Sequence, residues 1–215
     1  VSAVTASPTL LTDYPGRLVN HIEILYQRGE RELAKQFFAL LGCTIVDTRT
    51  ESGTGSSILF VYPEPTCQDR LNNVVYLSEI RQPQYELEQI LNARLAEDTE
   101  LREAIAKYDH KARNEPHGVT HFGLRYPSFD DLEAVIARVE NELPAGMAGR
   151  VEITAVRPGD PRSFTDELIQ AFVRTDIVCA GLFPFGQLIE LQAQRVTEST
   201  EAFTQQVAGA EGGGS

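Results

Sequence analysis

Val19-Asn20-His21-Ile22-Glu23-Ile24-Leu25 begins one apolar strand, and Thr120-His121-Phe122-Gly123-Leu124-Arg125 begins another in the same manner. Side chains alternate faces along a strand. His21 therefore shares a face with Glu23 and Leu25, away from Ile22 and Ile24, and His121 lies opposite Phe122 and Leu124. A third segment, Gln187-Leu188-Ile189-Glu190-Leu191-Gln192, sets Glu190 opposite Ile189 and Leu191. In all three, the polar side chain points away from the hydrophobic face that would pack on helices. Two imidazoles and one carboxylate on a common cleft form a set that a divalent Fe, Mn, Zn, Ni or Co ion accepts while keeping positions open for substrate. His21, His121 and Glu190 are the candidate metal ligands.

Outward from these strands the chain reads as one unit written twice. After the first strand, Gly29 opens a helix with Leu33, Phe37, Leu40 and Leu41 at helical spacing, and Gly42 ends it. Strands follow at 43–49, 58–62 and 74–78, the first two separated by the turn 51–55. The second half repeats this order. A strand at 119–126 leads to Ser128 and Asp131, which resemble a capping box. Leu132, Val135, Ile136, Val139 and Leu143 then form a helical stripe that Pro144 stops. A strand at 150–156, a long strand from Phe172 to Phe183, the turn Pro184-Phe185-Gly186 and a strand at 187–194 complete the set. The spacing of the two histidines exceeds one such unit. The excess falls in 83–117, where Leu87, Ile90, Leu91 and Leu95, then Leu101, Ile105 and Tyr108, predict one or two inserted helices.

The expected organisation is a loosely held segment at 1–17, a first βαβββ module at 18–82, a helical linker at 83–117, a second module at 118–195, and a short helix with a flexible tail at 196–215. The fold class is α+β. A single βαβββ unit leaves its sheet open, whereas two side by side make a cupped mixed sheet with helices outside and a cleft inside. His21 and His121 would then face each other across that cleft.

Composition narrows the partners. The 215 residues are 42% hydrophobic and carry a formal charge of -12. No Lys/Arg-rich run interrupts the acidity, which argues against nucleic acid and anionic membrane and leaves a small-molecule substrate. Cys43, Cys67 and Cys179 are too few and scattered for a disulfide framework, and Cys43 and Cys179 sit in apolar runs as buried thiols. Residues 1–8 lack the pattern of a signal peptide, and no stretch reaches the length of a membrane span. The expected setting is the cytoplasm. A homodimer stays open.

Three segments resemble the vicinal oxygen chelate superfamily of glyoxalase-type lyases, epimerases, extradiol dioxygenases and bleomycin-resistance binding proteins. They are His21-Ile22-Glu23-Ile24 with Phe37-Phe38-Ala39-Leu40-Leu41-Gly42, His121-Phe122-Gly123-Leu124 with Phe129-Asp130-Asp131-Leu132-Glu133, and Phe185-Gly186-Gln187-Leu188-Ile189-Glu190-Leu191. The resemblance covers about 18–194 outside the linker. It implies metal ligands on the first and last strands of each module, hence His21, His121 and Glu190. Tyr76 falls at the fourth place, where lyases and epimerases of the superfamily carry Glu or Gln. The resemblance thereby implies a dioxygenase-like three-ligand site over a lactoylglutathione lyase, with Glu79 as a fourth ligand only if the strand slips.

Beside the metal, Tyr76, Glu23 and His117 are the candidate catalytic residues. Glu23 would orient substrate from the His21 face, and His117 would act as acid or base from a loop. Arg125 and Arg174 are candidates for an anionic substrate group, Phe183 and Phe185 for a pocket wall, and His110 for the surface. The expected function is bidentate chelation of a small organic substrate by a divalent ion. Lyase or isomerase chemistry is the near alternative, and a metal-free binding protein is the rival from another class.

Overall fold

Each histidine strand runs parallel to the last strand of its own module. The computed structural model describes residues 19–49, 58–163 and 165–195. The turn at 51–55, the expected N-terminal segment and the expected C-terminal helix lie outside the described residues. β1 (His21–Tyr26) leads through α1 (Arg31–Leu40) to β2 (Thr44–Asp47), β3 (Leu59–Tyr62) and β4 (Val74–Glu79). The insertion forms two helices, α2 (Gln82–Glu97) and α3 (Thr99–Asn114). β5 (His121–Tyr126), α4 (Phe129–Asn141), β6 (Val151–Val156), β7 (Leu168–Thr175), β8 (Val178–Cys179) and β9 (Gln187–Gln194) follow. The sheets are ordered β2-β3-β4-β1-β8 and β5-β9-β7-β6. Without β8, each has its first strand beside its last and the middle pair beyond. The chain is α+β, with helices outside two mixed sheets, and the duplication is present in the strand order itself.

The register makes the equivalence exact to the residue. His21 pairs with Val74 and Glu23 with Tyr76, while His121 pairs with Leu188 and Gly123 with Glu190. Tyr76 thus holds in the first module the position that Glu190 holds in the second.

Strand parity sorts the side chains as alternation requires. Ile24, Tyr26, Val75 and Leu77 bury one face of the first sheet against Ala34, Phe37 and Phe38 of α1. Leu124, Ile189, Leu191, Ala171 and Val173 pack likewise with Leu132, Val135, Ile136 and Val139 of α4, and both sets belong to one continuous core. Polar bonds reinforce the seam. Tyr126 donates its hydroxyl to the Leu41 carbonyl at 2.7 Å, Arg138 donates to that of Leu40 at 3.2 Å, and Arg150 grips both Glu30 oxygens. Gly42 ends α1 at φ +83°, and a Cβ there would also meet the Arg138 guanidinium at 3.3 Å. Ser128 caps α4, accepting from the Asp131 amide at 3.1 Å and donating to its carboxylate at 2.6 Å.

The opposite face of the second sheet carries α3. Ala112 packs with Phe172 and Leu188, Asp109 pairs with Arg174, and Arg113 with Glu152. This sheet is therefore covered on both sides, by α4 and by α3. On α2 the expected apolar stripe is split, with Leu91 and Leu95 half-buried and its other two members turned outward. Leu87 and Ile90 are 46% and 61% exposed, whereas Glu88 is buried. Its carboxylate accepts from Gln84 and from the Phe183 amide, pinning α2 to the turn before β9. Among the described residues no helix is long and apolar enough to cross a membrane.

The long strand expected from Phe172 to Phe183 is broken. β7 starts earlier, at Leu168, and ends at Thr175, whose hydroxyl accepts from the Ile177 amide at 3.0 Å and turns the chain. β8 then crosses to the other module and pairs antiparallel with the end of β1, Cys179 opposite Leu25. All three cysteines are buried thiols, and burial pushes that of Cys43 up to about 12.

Arg31 at the start of α1 ties β2 and β1 together, bonding both Asp47 oxygens and the Tyr26 hydroxyl. The Arg31 contact holds the Asp47 carboxyl down, from 3.8 to about 2. A depressed carboxylate contributes stability that is complete above its unfolded value and lost as pH falls through the folded one. The urea midpoint of the parent is expected to drop between about pH 4 and pH 2, and Asp47→Asn to flatten that part of the curve and lower the plateau above it. Equal slopes in the two proteins would remove Asp47 as the cause.

Candidate metal centre and substrate cleft

Glu190 lies in the middle of β9 with its neighbours Ile189 and Leu191 wholly buried on the α4 side. Its carboxylate therefore stands on the opposite face, which α3 covers only in part. A carboxylate there needs partners, and it has two. Gln170, its neighbour across the strands from β7, donates its amide to Oε1 at 2.6 Å, and His121 Nε2 lies 3.2 Å from Oε2.

The other side of the His121 ring fixes its chemistry. Nδ1 lies 2.6 Å from the Val119 carbonyl, which only accepts, so Nδ1 carries the hydrogen. In the neutral ring Nε2 then presents a lone pair to a carboxylate lone pair. Such an approach is favourable only with positive charge in the gap, a proton on Nε2 or a metal ion. Histidine ligands commonly donate their second N–H to a carbonyl in this way. Bond lengths near 2.1 Å place two adjacent nitrogen and oxygen donors roughly 3.0–3.4 Å apart. The pair fits an ion as two of its donors.

His117, in the loop before β5, stands edge-on to Phe172, with ring centroids 5.1 Å apart, and Phe172 also flanks His121 at 6.0 Å. Burial pushes the His117 pKa below the usual imidazole range, opposed by the nearby Glu190 and assisted by His121. Burial thereby favours the neutral ring, which can accept a proton.

The equivalent place in the first module has the same geometry and different chemistry. His21 stacks on Tyr76 at 4.9 Å, Tyr76 donates its hydroxyl to the Arg70 carbonyl at 2.7 Å, and Glu23 accepts from Ser78 Oγ at 2.9 Å. His21, Glu23 and Tyr76 are thus brought together, and so are His121, Glu190 and His117. Among the described residues no group of three or more His, Cys, Asp or Glu side chains is arranged to hold an ion, and as placed His21 rests on the Tyr76 ring.

The remaining candidates sort by face and partner. Glu79 points to the α1 side, where it accepts from the Gly29 amide at 3.1 Å and closes the turn after β1; the register has not slipped, and the fourth-ligand option fails. Arg174 is paired with Asp109 of α3 rather than open to an anionic substrate. Arg125 is exposed, and His110 is on the surface of α3 beside Asn114. Phe183 is buried with Ile80 and Cys179, whereas Phe185 is exposed and walls a cleft. Gln170 was not singled out from the sequence. Its signal is a lone amide within Leu168-Ile169-Gln170-Ala171-Phe172-Val173.

Two clefts flank β5. One of about 620 Å³ lies beside Gly123 and Arg125, lined also by Glu64, Asp131 and Arg138. The other, about 750 Å³, contains His121 and lies between β5, Ile22 of β1, α3 and the segment from β8 to β9. Comparison with known proteins adds little to this geometry. No family model and no curated protein matches the sequence. Among solved structures, an integron cassette protein from the mobile metagenome of the Halifax Harbour sewage outfall is similar over 82% of this chain and 99% of that one, at 11% identity and a TM-score of 0.36.

Proposed function

We propose that this protein is a metal-dependent enzyme of the vicinal oxygen chelate type that acts on a small organic substrate. His121 and Glu190 would hold the divalent ion (Fe, Mn, Zn, Ni or Co), with His21 the third donor of the proposed 2-His-1-carboxylate set. The observation that carries the reading is His121 itself, with Nδ1 committed to the Val119 carbonyl and Nε2 converging with Glu190. When bound, such an ion supplies a Lewis acid that stabilises an oxyanion developing on the substrate. Gln170 orients the carboxylate and His117 accepts a proton beside it, while Glu23 and Tyr76 are the candidate catalytic residues grouped around His21 in the first module. Tyr76 at the Glu190-equivalent position favours dioxygenase-like chemistry over the lyase or isomerase.

A metal-free small-molecule binding protein is the second reading, favoured by the stacking of His21 on Tyr76. Calorimetric titration of the chelator-stripped protein with Mn²⁺, Zn²⁺ and, under nitrogen, Fe²⁺ separates the two. One ion per chain in the parent and none in His121→Ala is expected. No binding in either protein would leave the binder as the standing reading. Oxygen uptake with candidate substrates, under air against nitrogen, then separates dioxygenation from proton transfer.

A further inference from the structure

The 750 Å³ cleft beside His121 is the size of a small-molecule site, and its walls are unusual in an acidic protein. Among the described residues that line it there is no Lys, Arg, Asp or Glu; the body is built from side chains such as Ile22, Ile105, Tyr108, Phe122, Leu182 and Phe185. Tyr108 of α3 and Phe185 meet edge to face at 6.3 Å across it. Both remain about two-fifths exposed, 42% and 41%, as does Leu101 at 36%. Large apolar groups are left uncovered on both sides of one concavity, which is where such groups mark a ligand.

Deepening the proposed function, on which this rests for the role of His121 alone, we infer that the substrate is an uncharged, hydrophobic small molecule. Its body lies between α3 and the segment from β8 to β9, and its one polar end meets His121. Two physical terms point the same way. A charged group placed against these walls would lose hydration without gaining a partner. The chain's net charge of -12 also repels anions before they arrive. The inserted helices then acquire a role: α3 supplies one wall of the cleft, held down by the Asp109–Arg174 and Arg113–Glu152 pairs, and α2 anchors the opposite wall through Glu88.

The test uses a matched pair of probes at neutral pH, 2-naphthol and 6-hydroxy-2-naphthoate, which share ring and hydroxyl and differ by one carboxylate. The full chain is expected to bind 2-naphthol at least tenfold more tightly by calorimetry. Ala104→Trp, placed on the α3 wall, is expected to weaken that binding at least tenfold while leaving metal uptake unchanged. Equal or tighter binding of the naphthoate, no binding of 2-naphthol, or indifference to Ala104→Trp would each overturn the inference. Metal uptake is measured on the same samples. Metal bound with no naphthol bound sinks this inference and spares the proposed enzyme, and the reverse pattern does the opposite.

Discussion

Replacing Phe38 by alanine is expected to remove about 3–5 kcal/mol of unfolding free energy, the cost of emptying a large aromatic site in a close-packed core. Phe38 is fully buried and meets Phe37 edge to face at 5.3 Å. Domains of this kind are stable by only about 5–15 kcal/mol, so the substitution consumes a large part of the total. The more informative part of the result is its shape. Phe38 belongs to the first module, but the core it occupies runs without a break into α4 and the second sheet. The Tyr126, Arg138 and Arg150 contacts tie the same region across the seam. Both modules are therefore expected to unfold in one transition whose midpoint shifts as a whole. Tyr108→Ala, at an exposed position, is the control and is expected to move stability by less than about 1 kcal/mol. The chain contains no tryptophan, so far-ultraviolet circular dichroism and tyrosine emission are the probes. Two separate transitions, with only the first displaced in Phe38→Ala, would show that the modules are independent.

The same continuity explains what could be read in advance. Parity along β1, β5 and β9 needs nothing but the two-residue repeat of a strand, and His21, His121 and Glu190 stand on the faces that repeat assigns. The alignment of Tyr76 with Glu190 came from laying strand 4 over the last strand as the resemblance implies, and the register repeats it residue for residue. The capping of α4 by Ser128 and the stop at Gly42 are local chemistry, equally legible. What was hidden is whatever depends on a distant partner. β8 is two residues long and pairs with β1 from far along the chain, so nothing near Val178 announces it. The exposure of Leu87 and Ile90 on α2 and the burial of Glu88 depend on where the turn at Phe183 lies. The resting place of His21 was beyond reach for the same reason. Parity gives its face, but stacking on Tyr76 is a rotamer choice made among neighbours, and alternation says nothing about it.

Glu190→Gln is the substitution that separates charge from shape at the centre, and its expected effect is the largest on function. Glutamine keeps the side chain's length and retains an oxygen to accept from Gln170, so the 2.6 Å bond survives. Its amide can turn an N–H toward the lone pair on His121 Nε2, replacing a repulsive approach with a hydrogen bond. Stability without metal is therefore expected to hold or rise slightly. Metal affinity should move strongly the other way, because the one anionic donor of the pair is gone. Loss of an outer partner of a ligand costs about 10–100-fold in affinity, which is the expectation for Gln170→Ala. Removing the carboxylate itself should cost more than that and take turnover with it. Thermal unfolding with and without Mn²⁺ reads both quantities in one experiment, since an ion that binds only the folded chain raises the midpoint with its concentration. The parent is expected to show that rise, Gln170→Ala a smaller one at equal metal, and Glu190→Gln none. A metal-dependent rise of full size in Glu190→Gln would place the ion elsewhere. A variant that unfolds well before the parent without metal would instead show that the His121–Glu190 contact is a protonated ion pair serving the fold, not a site built for a cation.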